Sequence, residues 1–468
     1  MSTSTNTSTS TIELTALPRE PSPVQKNTFD RGRTLGDDPF ASVAASDRIA
    51  DECATPRDAS PAATIVQKWT DPGNAVRVFA SFWSLFVMGA NDAAYGAILP
   101  SLGTYYNLTY TVVSLVFLSP FIGYVASALL NNAIHLKYGQ RGIAVIASGC
   151  HILAYAIIAA HPPYPVLVLS FILAGFANGV GDAAWNAWMG NLANSSELLG
   201  LLHACYGVGG VVSPLVSTSM ISKGNLPWYS FYFIMIGFAV IELLATTAAF
   251  WTSNGPNYRL LQQSHSSENH EDSLYSVLFT MPSARVGWTA CAFLLCYVGA
   301  EVSLGGWIVE FMINVRQGDK FSSGMSATGF WLGITVGRVV LGFVSPRIGI
   351  KLATSIYIAC AVGLELIFWL VPQFIVSAVA IALQGFFLGP LFPSVVLVVN
   401  KLLPRHQHVS VIGFAAAFGG CGAAVLPFLT GLLAQATDIQ VLQPIVLALL
   451  VLLLVIWLLF PRLDKRRD

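Results

Sequence analysis

The chain nearly repeats itself after 210 residues, and both copies are strongly apolar. Gly89 is answered by Gly299, Gly123 by Gly333, Gly139 by Gly349, and the pair Gly175 and Gly179 by Gly385 and Gly389. Glycine inside a long apolar segment marks close approach between helices, so these pairs in one register predict one bundle of helices built twice. Paired halves facing each other across a central cavity, with a solute held near the bilayer midplane, are how many secondary transporters are built. Transport is therefore the leading functional class.

Composition agrees. Hydrophobic residues make up 54% of the 468, charged residues only 10%, and 28 Phe and 11 Trp are present. With a mean hydropathy of +0.64, the chain has too little polar material to cover a soluble globule of its size. The 24 basic and 24 acidic residues cancel, which gives no bulk attraction to nucleic acid. Seven scattered cysteines, without CxxC or His-linked spacing, read as buried thiols rather than as disulfides or a metal site. Gly-rich stretches lie inside apolar helices and no Walker lysine motif occurs. The expectation is no enzyme and no cofactor, with energy drawn from an ion or solute gradient.

Residues 1–70 are Ser/Thr-rich and then broken by prolines, with no apolar run; they read as a disordered cytosolic tail. From Val76 onward, stretches of about 20 apolar residues recur, each long enough to cross a hydrocarbon core of roughly 30 Å. Twelve are expected, near 76–100, 110–131, 142–160, 164–191, 198–221 and 228–252, then 287–313, 323–345, 350–371, 373–399, 408–435 and 439–460. The implied organisation is a six-helix bundle over 71–255, a cytosolic central loop over 256–286, a second six-helix bundle over 287–460 and a basic cytosolic tail over 461–468. Lys137, Arg141, Arg259, Arg285, Arg347, Lys351, Lys401 and Arg405 then share one side with both termini, which the positive-inside rule makes cytosolic. In that orientation Asn107, in Asn107-Leu108-Thr109, is a glycosylation acceptor in the first outer loop.

An ionisable side chain inside a spanning helix costs a few kcal/mol unless it is paired, neutral or facing water. Asp92 falls near the middle of the first helix beside Asn91, and Asp182 falls in the fourth with Asn178 and Asn186 four residues to either side. That spacing puts the three on one helix face. The stripe reads as a cavity lining that hydrogen-bonds a polar ligand and holds an acid able to gain and lose a proton; the alternative is a polar network that only ties helices together. Glu301, in Gly299-Ala300-Glu301, stands opposite Asn91 in the repeat and is expected to line the cavity; Trp307, within two turns, reads either as a flat surface for a sugar ring or apolar ligand or as an interfacial or packed tryptophan. Glu310 is expected at the outer end, His203 as a hydrogen-bonded structural histidine, and Glu242 and Glu365 as structural or lumen-facing acids. Gly139 and Gly349, flanked by matching basic residues, and Arg338 in the helix before the second loop are candidates for latching helix ends during a conformational cycle.

Asn91-Asp92 with Leu99-Pro100, Asp182 with Asn186, Leu202-His203 with Gly207, Gly209 and Pro214, and Gly299, Glu301 and Gly306 together resemble the major facilitator superfamily. Within it, the chain looks like the fucose/proton symporter and sodium-dependent glucose transporter-like branch, over residues 76–460. The tail and the Tyr297-to-Trp307 stretch look like its fungal members. The resemblance implies an all-α integral membrane fold of twelve helices in two pseudo-symmetric bundles, with Asp92 and Asp182 as protonation and sugar-binding groups. The superfamily's loop motif has an acid three residues before its central glycine, whereas Leu136 and Pro346 stand there in this chain.

The reading from sequence is a proton-coupled secondary transporter of a sugar-like or small metabolite, working by alternating access. Its partners are the solute, a coupling ion with H+ favoured over Na+, and the lipid bilayer, without nucleic acid; a monomer in the plasma membrane, rather than the vacuolar membrane, is expected. A proton-driven exporter of a secondary metabolite and a non-transporting nutrient sensor are the competing readings.

Overall fold

Long apolar runs, with few polar groups to satisfy a lone strand edge, dictate helices, because only a helix closes its backbone hydrogen bonds within one segment. The computed structural model describes residues 67–265, 283–403 and 405–461. Nearly all of the expected tail at 1–70, the rest of the central stretch and the basic tail after Pro461 lie outside the described residues. The first half comprises α1 (Asn74–Tyr106), the short α2 (Tyr110–Val113), α3 (Leu115–Ala159), α4 (Tyr164–Gly190), α5 (Ser195–Ser222) and α6 (Ser230–Ala249). A polar helix α7 (Gly255–His265) follows. The second half comprises α8 (Ser283–Asn314), α9 (Lys320–Ile348), α10 (Ile350–Leu370), α11 (Phe374–Leu388), α12 (Leu391–Leu402), α13 (Arg405–Ala436) and, after a 3-10 turn at Ile439–Val441, α14 (Leu442–Leu459).

Among the described residues, ten segments are long and apolar enough to cross a membrane. One of them, Tyr110–Ala159, has 50 residues, about 75 Å of helix and roughly twice a bilayer crossing. It bends at Gly139, whose φ of 68° and ψ of −168° leave helical geometry. Counted as two crossings, and joined by the 33-residue α1, whose apolar run is interrupted by Asn91 and Asp92, it makes the described helices consistent with the expected twelve. The helices suit a multi-pass membrane protein, and large apolar side chains such as Leu129, Phe343, Leu370 and Ile375 stand exposed on the outside of the bundle. Three details differ from the expectation. The second and third crossings run on through Gly139 without a separate loop; the tenth breaks into α11 and α12 at Gly389-Pro390, where proline has no N–H to continue the ladder; and the polar central stretch begins as helix α7.

The 210-residue register reappears as contacts between backbones. A methyl group on Gly123 would stand 2.1 Å from the Ile172 carbonyl oxygen, and one on Gly333 would stand 2.0 Å from that of Ala382. Gly175 faces the Pro120 carbonyl at 2.1 Å, and Gly385 faces that of Phe330 at 2.3 Å. In each case the neighbour has moved by the same 210 positions as the glycine. The register slips in the fifth helix of each half. Gly209 fits against Phe86, whereas Gly422, three residues beyond the repeat, fits against Leu295.

Each half is also tied off at the same end. In the first, the Arg141 amide donates to the Ser253 carbonyl at 3.1 Å and its guanidinium lies 4.7 Å from the Trp251 ring centroid. Arg259 donates to Leu136 at 2.5 Å, and Arg77 donates to Ala249 at 3.2 Å. In the second, Lys351 donates to the Phe460 carbonyl, and the Trp457 indole donates to that of Lys351 at 3.0 Å. So the chain just past Gly139, and just past Gly349, is bound to the end of the sixth helix of its own half.

Candidate functional site

The halves meet along two seams. At the end where α1 and α8 terminate, Gly96 sits against the Gly305 carbonyl, Gly306 against the Phe117 ring, and Gly431 against Ser114. The Tyr110 amide donates to Gln435 Oε1 at 2.8 Å and its hydroxyl to Glu310 Oε1 at 3.1 Å. Along α5 and α9, Gly207 meets Thr335, Gly210 meets Trp331 and Thr218 meets Gly324. A cleft of about 360 Å³ at the first of these ends holds Glu310, Tyr110 and Gln435 but neither Asp92 nor Asp182.

Asp92 stands half-buried in the middle of α1. Its Oδ1 accepts from Asn91 Nδ2 at 3.0 Å and from Asn178 Nδ2 at 2.9 Å, and its Oδ2 accepts from the Tyr206 hydroxyl at 2.8 Å. Three helices, α1, α4 and α5, thus donate to one carboxylate. Such a group is satisfied when ionised, and a proton on it weakens the bonds that its charge strengthens.

Asn178 is fully buried and its amide oxygen faces His151 Nε2 at 2.9 Å. His151 Nδ1 lies 2.8 Å from Glu242 Oε2, with both side chains essentially inaccessible. Glu242 Oε1 accepts from Ser84 Oγ at 2.6 Å, and Ser84 accepts from the Trp185 indole at 3.0 Å. Sequence reasoning left Glu242 without an assigned role and passed over His151. The available signal was a histidine inside an apolar span, which deserves the same question as an acid.

The stripe expected on α4 is therefore split between two networks. Asp182, half-buried, accepts from Asn186 Nδ2 at 2.7 Å, and Asn186 Oδ1 lies 3.1 Å from His203 Nε2. The His203 ring approaches Phe392 of the second half, at 6.4 Å between centroids. In the second half, Arg338 Nη2 pairs with Glu301 Oε1 at 3.3 Å. Arg338 is also within electrostatic reach of Tyr206 and His203 across the seam.

Three residues expected to line a ligand cavity are placed otherwise. Trp307 is fully buried; its indole donates to the Pro427 carbonyl at 2.9 Å and its ring packs against Tyr110 and Phe117. It is a wall between the halves, because a ring of that size fills the space that Gly431 leaves open. Asn91 and Asn178 are buried as well, and their amides are spent on Asp92, Tyr95 and His151, save for an unpartnered Asn91 Oδ1. Gly139 and Gly349 both hold positive φ, 68° and 97°, which a side chain would strain. Asn107 is exposed at the end of α1, in the left-handed conformation that asparagine tolerates.

A family model for the Major Facilitator Superfamily matches residues 81–380 and 319–468. Bypass of stop codon protein 6 of Saccharomyces cerevisiae is 29% identical over 424 residues, covering 85% of this chain and 85% of its own. The glucose/mannose transporter GlcP of Bacillus subtilis is 23% identical, covering 74% of this chain and 85% of its own. Among solved structures, a D-xylose-proton symporter superposes with a TM-score of 0.66 at 14% identity, over 84% of this chain and 98% of its own. The transporter FucP, in an outward conformation, does so with 0.57 at 15%, over 83% and 99%.

Proposed function

The chain belongs to the major facilitator superfamily, whose fold and members are those of transporters rather than enzymes, and we propose that this protein carries a small polyhydroxylated solute, coupled to protons, by alternating access. The observation that carries the reading is Asp92: a half-buried carboxyl in mid-helix, held by donors from three helices of the first half. A proton on that carboxyl removes its charge and weakens its hold on α4 and α5, which links proton occupancy to helix position. The relatives' names, a glucose/mannose transporter and a xylose-proton symporter, favour a sugar and a proton.

In this reading Asp92 and Asp182 exchange protons, and Asn186, His203 and Glu301 offer hydrogen bonds to the solute. Asn91 and Asn178 position Asp92, and Arg338 clamps Glu301 until the solute competes for it. Gly139 and Gly349 let each half's loop fold back on its own sixth helix, so the halves move as units. With both termini cytosolic and the protein in the plasma membrane, the end at Gly96 and Gly305 is the outer one, and exposed Asn107 can take a glycan there.

The test is purified protein in liposomes loaded with a pH-sensitive dye, challenged with glucose, mannose and xylose. Sugar-dependent proton entry in wild type, lost in Asp92→Asn, supports the reading. Sugar binding without proton or sodium movement would refute coupled transport and favour a sensor.

A further inference from the structure

We propose that His151 and Glu242 form a buried proton-shift pair that answers the charge on Asp92, an inference that rests on the proton-coupled reading above. The hydrogen-bond chain leaves little freedom in where protons sit. Asn178 turns its amide nitrogen to Asp92, so its oxygen faces His151 Nε2 and that nitrogen carries a hydrogen. Ser84 accepts from the Trp185 indole, which can only donate, and so gives its own hydrogen to Glu242 Oε1. One proton is left to lie in the 2.8 Å contact between His151 Nδ1 and Glu242 Oε2. It makes either imidazolium with carboxylate or imidazole with carboxylic acid.

Asp92 decides between the two. When Asp92 is ionised, an imidazolium one amide away stabilises it, and Asp92, His151 and Glu242 together carry one negative charge. When Asp92 takes a proton from water on the open side, that stabilisation is no longer needed. The shared proton then passes from His151 Nδ1 to Glu242 Oε2, leaving three neutral groups in a site where separated charge is costly. One proton enters in all and forms the O–H bond on Asp92, while within the pair one N–H bond breaks and one O–H bond forms; release on the other side reverses all three. The pair exchanges no proton with water itself, since both side chains are buried and the chain ends at the donor-only Trp185. His151 and Glu242 are thus positioning residues acting through Asn178. The other titratable groups around them are Tyr95 on α1, Tyr124 and Tyr155 on α3, Tyr232 on α6, Tyr206 on α5 and, beyond Asp92, Asp182 on α4. His151 stacks on Tyr155, with 5.4 Å between ring centroids.

The decisive measurement is infrared difference spectroscopy of isotope-labelled histidine in purified wild-type protein, titrated between pH 8 and pH 5. An ordinary histidine gains its imidazolium signal on acidification. His151 is expected to lose its own, at the midpoint where protonated-carboxyl bands appear, and the loss vanishes in Asp92→Asn. Carboxyl bands that rise with no inverse imidazole change overturn the pair. In the liposome assay, Glu242→Gln should lower uphill sugar accumulation at least tenfold while sugar counterflow, which needs no net proton movement, stays within twofold of wild type. Parallel loss of both activities marks a merely structural pair and also overturns the proposal. Wild type that moves no protons with sugar refutes the coupling reading instead, whereas an inverse imidazole signal would still stand in the infrared experiment.

Discussion

In the first half of the molecule, α1, α3, α4 and α6 bring Asp92, Asn178, His151 and Glu242 into one continuous hydrogen-bonded chain. In the second, polar groups at comparable depth stay in separate pairs, Glu301 with Arg338 and Glu365 with Gln384, the latter at 2.8 Å with Glu365 Oε1 and Gln384 Oε1 left unpartnered among the described residues. Yet the crossings of the second helix with the fourth are the same to the residue in both halves, as the contacts of Gly123, Gly175, Gly333 and Gly385 show. Backbone packing and side-chain chemistry are therefore separable in this fold: the repeat fixes where helices touch and leaves open what is buried beside the contact.

The largest effect should come from attacking what the halves share. Gly123→Val and Gly333→Val each force a branched side chain onto a carbonyl about 2 Å away and are expected to cost about 3 kcal/mol apiece, in equal measure. Thermal unfolding in detergent would reveal it, and a large inequality would break the claim of a common scaffold. Chemistry should then separate the halves. Asp92→Asn is expected to lower proton-driven accumulation about a hundredfold, about 2.7 kcal/mol, whereas Glu301→Gln should weaken solute affinity and leave sugar-driven proton entry intact. Dye-loaded liposomes measure both, and proton coupling lost in Glu301→Gln would place coupling in the second half too.

Glu301→Ala leaves the Arg338 guanidinium without its carboxylate. Because that side chain keeps 16% exposure, a destabilisation of about 2 kcal/mol is expected, below that of a fully enclosed pair, and the double change with Arg338→Gln should recover part of it. The smallest effect concerns matching helix caps. Thr109 accepts from the Val112 amide, and Asp319, 210 residues later, accepts from Phe321 and Ser322 at 3.0 Å each. Those bonds, with the Ser322 side chain foremost, hold the Asp319 carboxyl below its ordinary value. Its contribution is present above the unfolded-state value of about 3.9 and fades as pH falls through the lower folded-state value. Asp319→Thr should remove that slight acid sensitivity, leaving a flatter unfolding profile below about pH 4.

Much of the scaffold was legible in the sequence because glycine spacing encodes crossings directly. Asn178, Asp182 and Asn186 were legible as a polar stripe for a similar reason, since residues four apart share a helix face. The partners of that stripe were not. His151 and Glu242 are 91 residues apart and Ser84 and Glu242 are 158 apart, and helical period carries no information across such separations. Trp307 was ambiguous on its own helix; its burial depends on Gly431, on another helix, making room.

The ties at Arg141, Arg259 and Arg77, and at Lys351 and Trp457, each begin and end within one half. A polypeptide cut between His265 and Ser283 would sever none of them. Two separately translated fragments, 1–265 and 283–468, would each keep the clasp within its own half and would have the seams at Gly96 and Gly207 to find. Joining the halves in one chain raises the local concentration at which those seams meet.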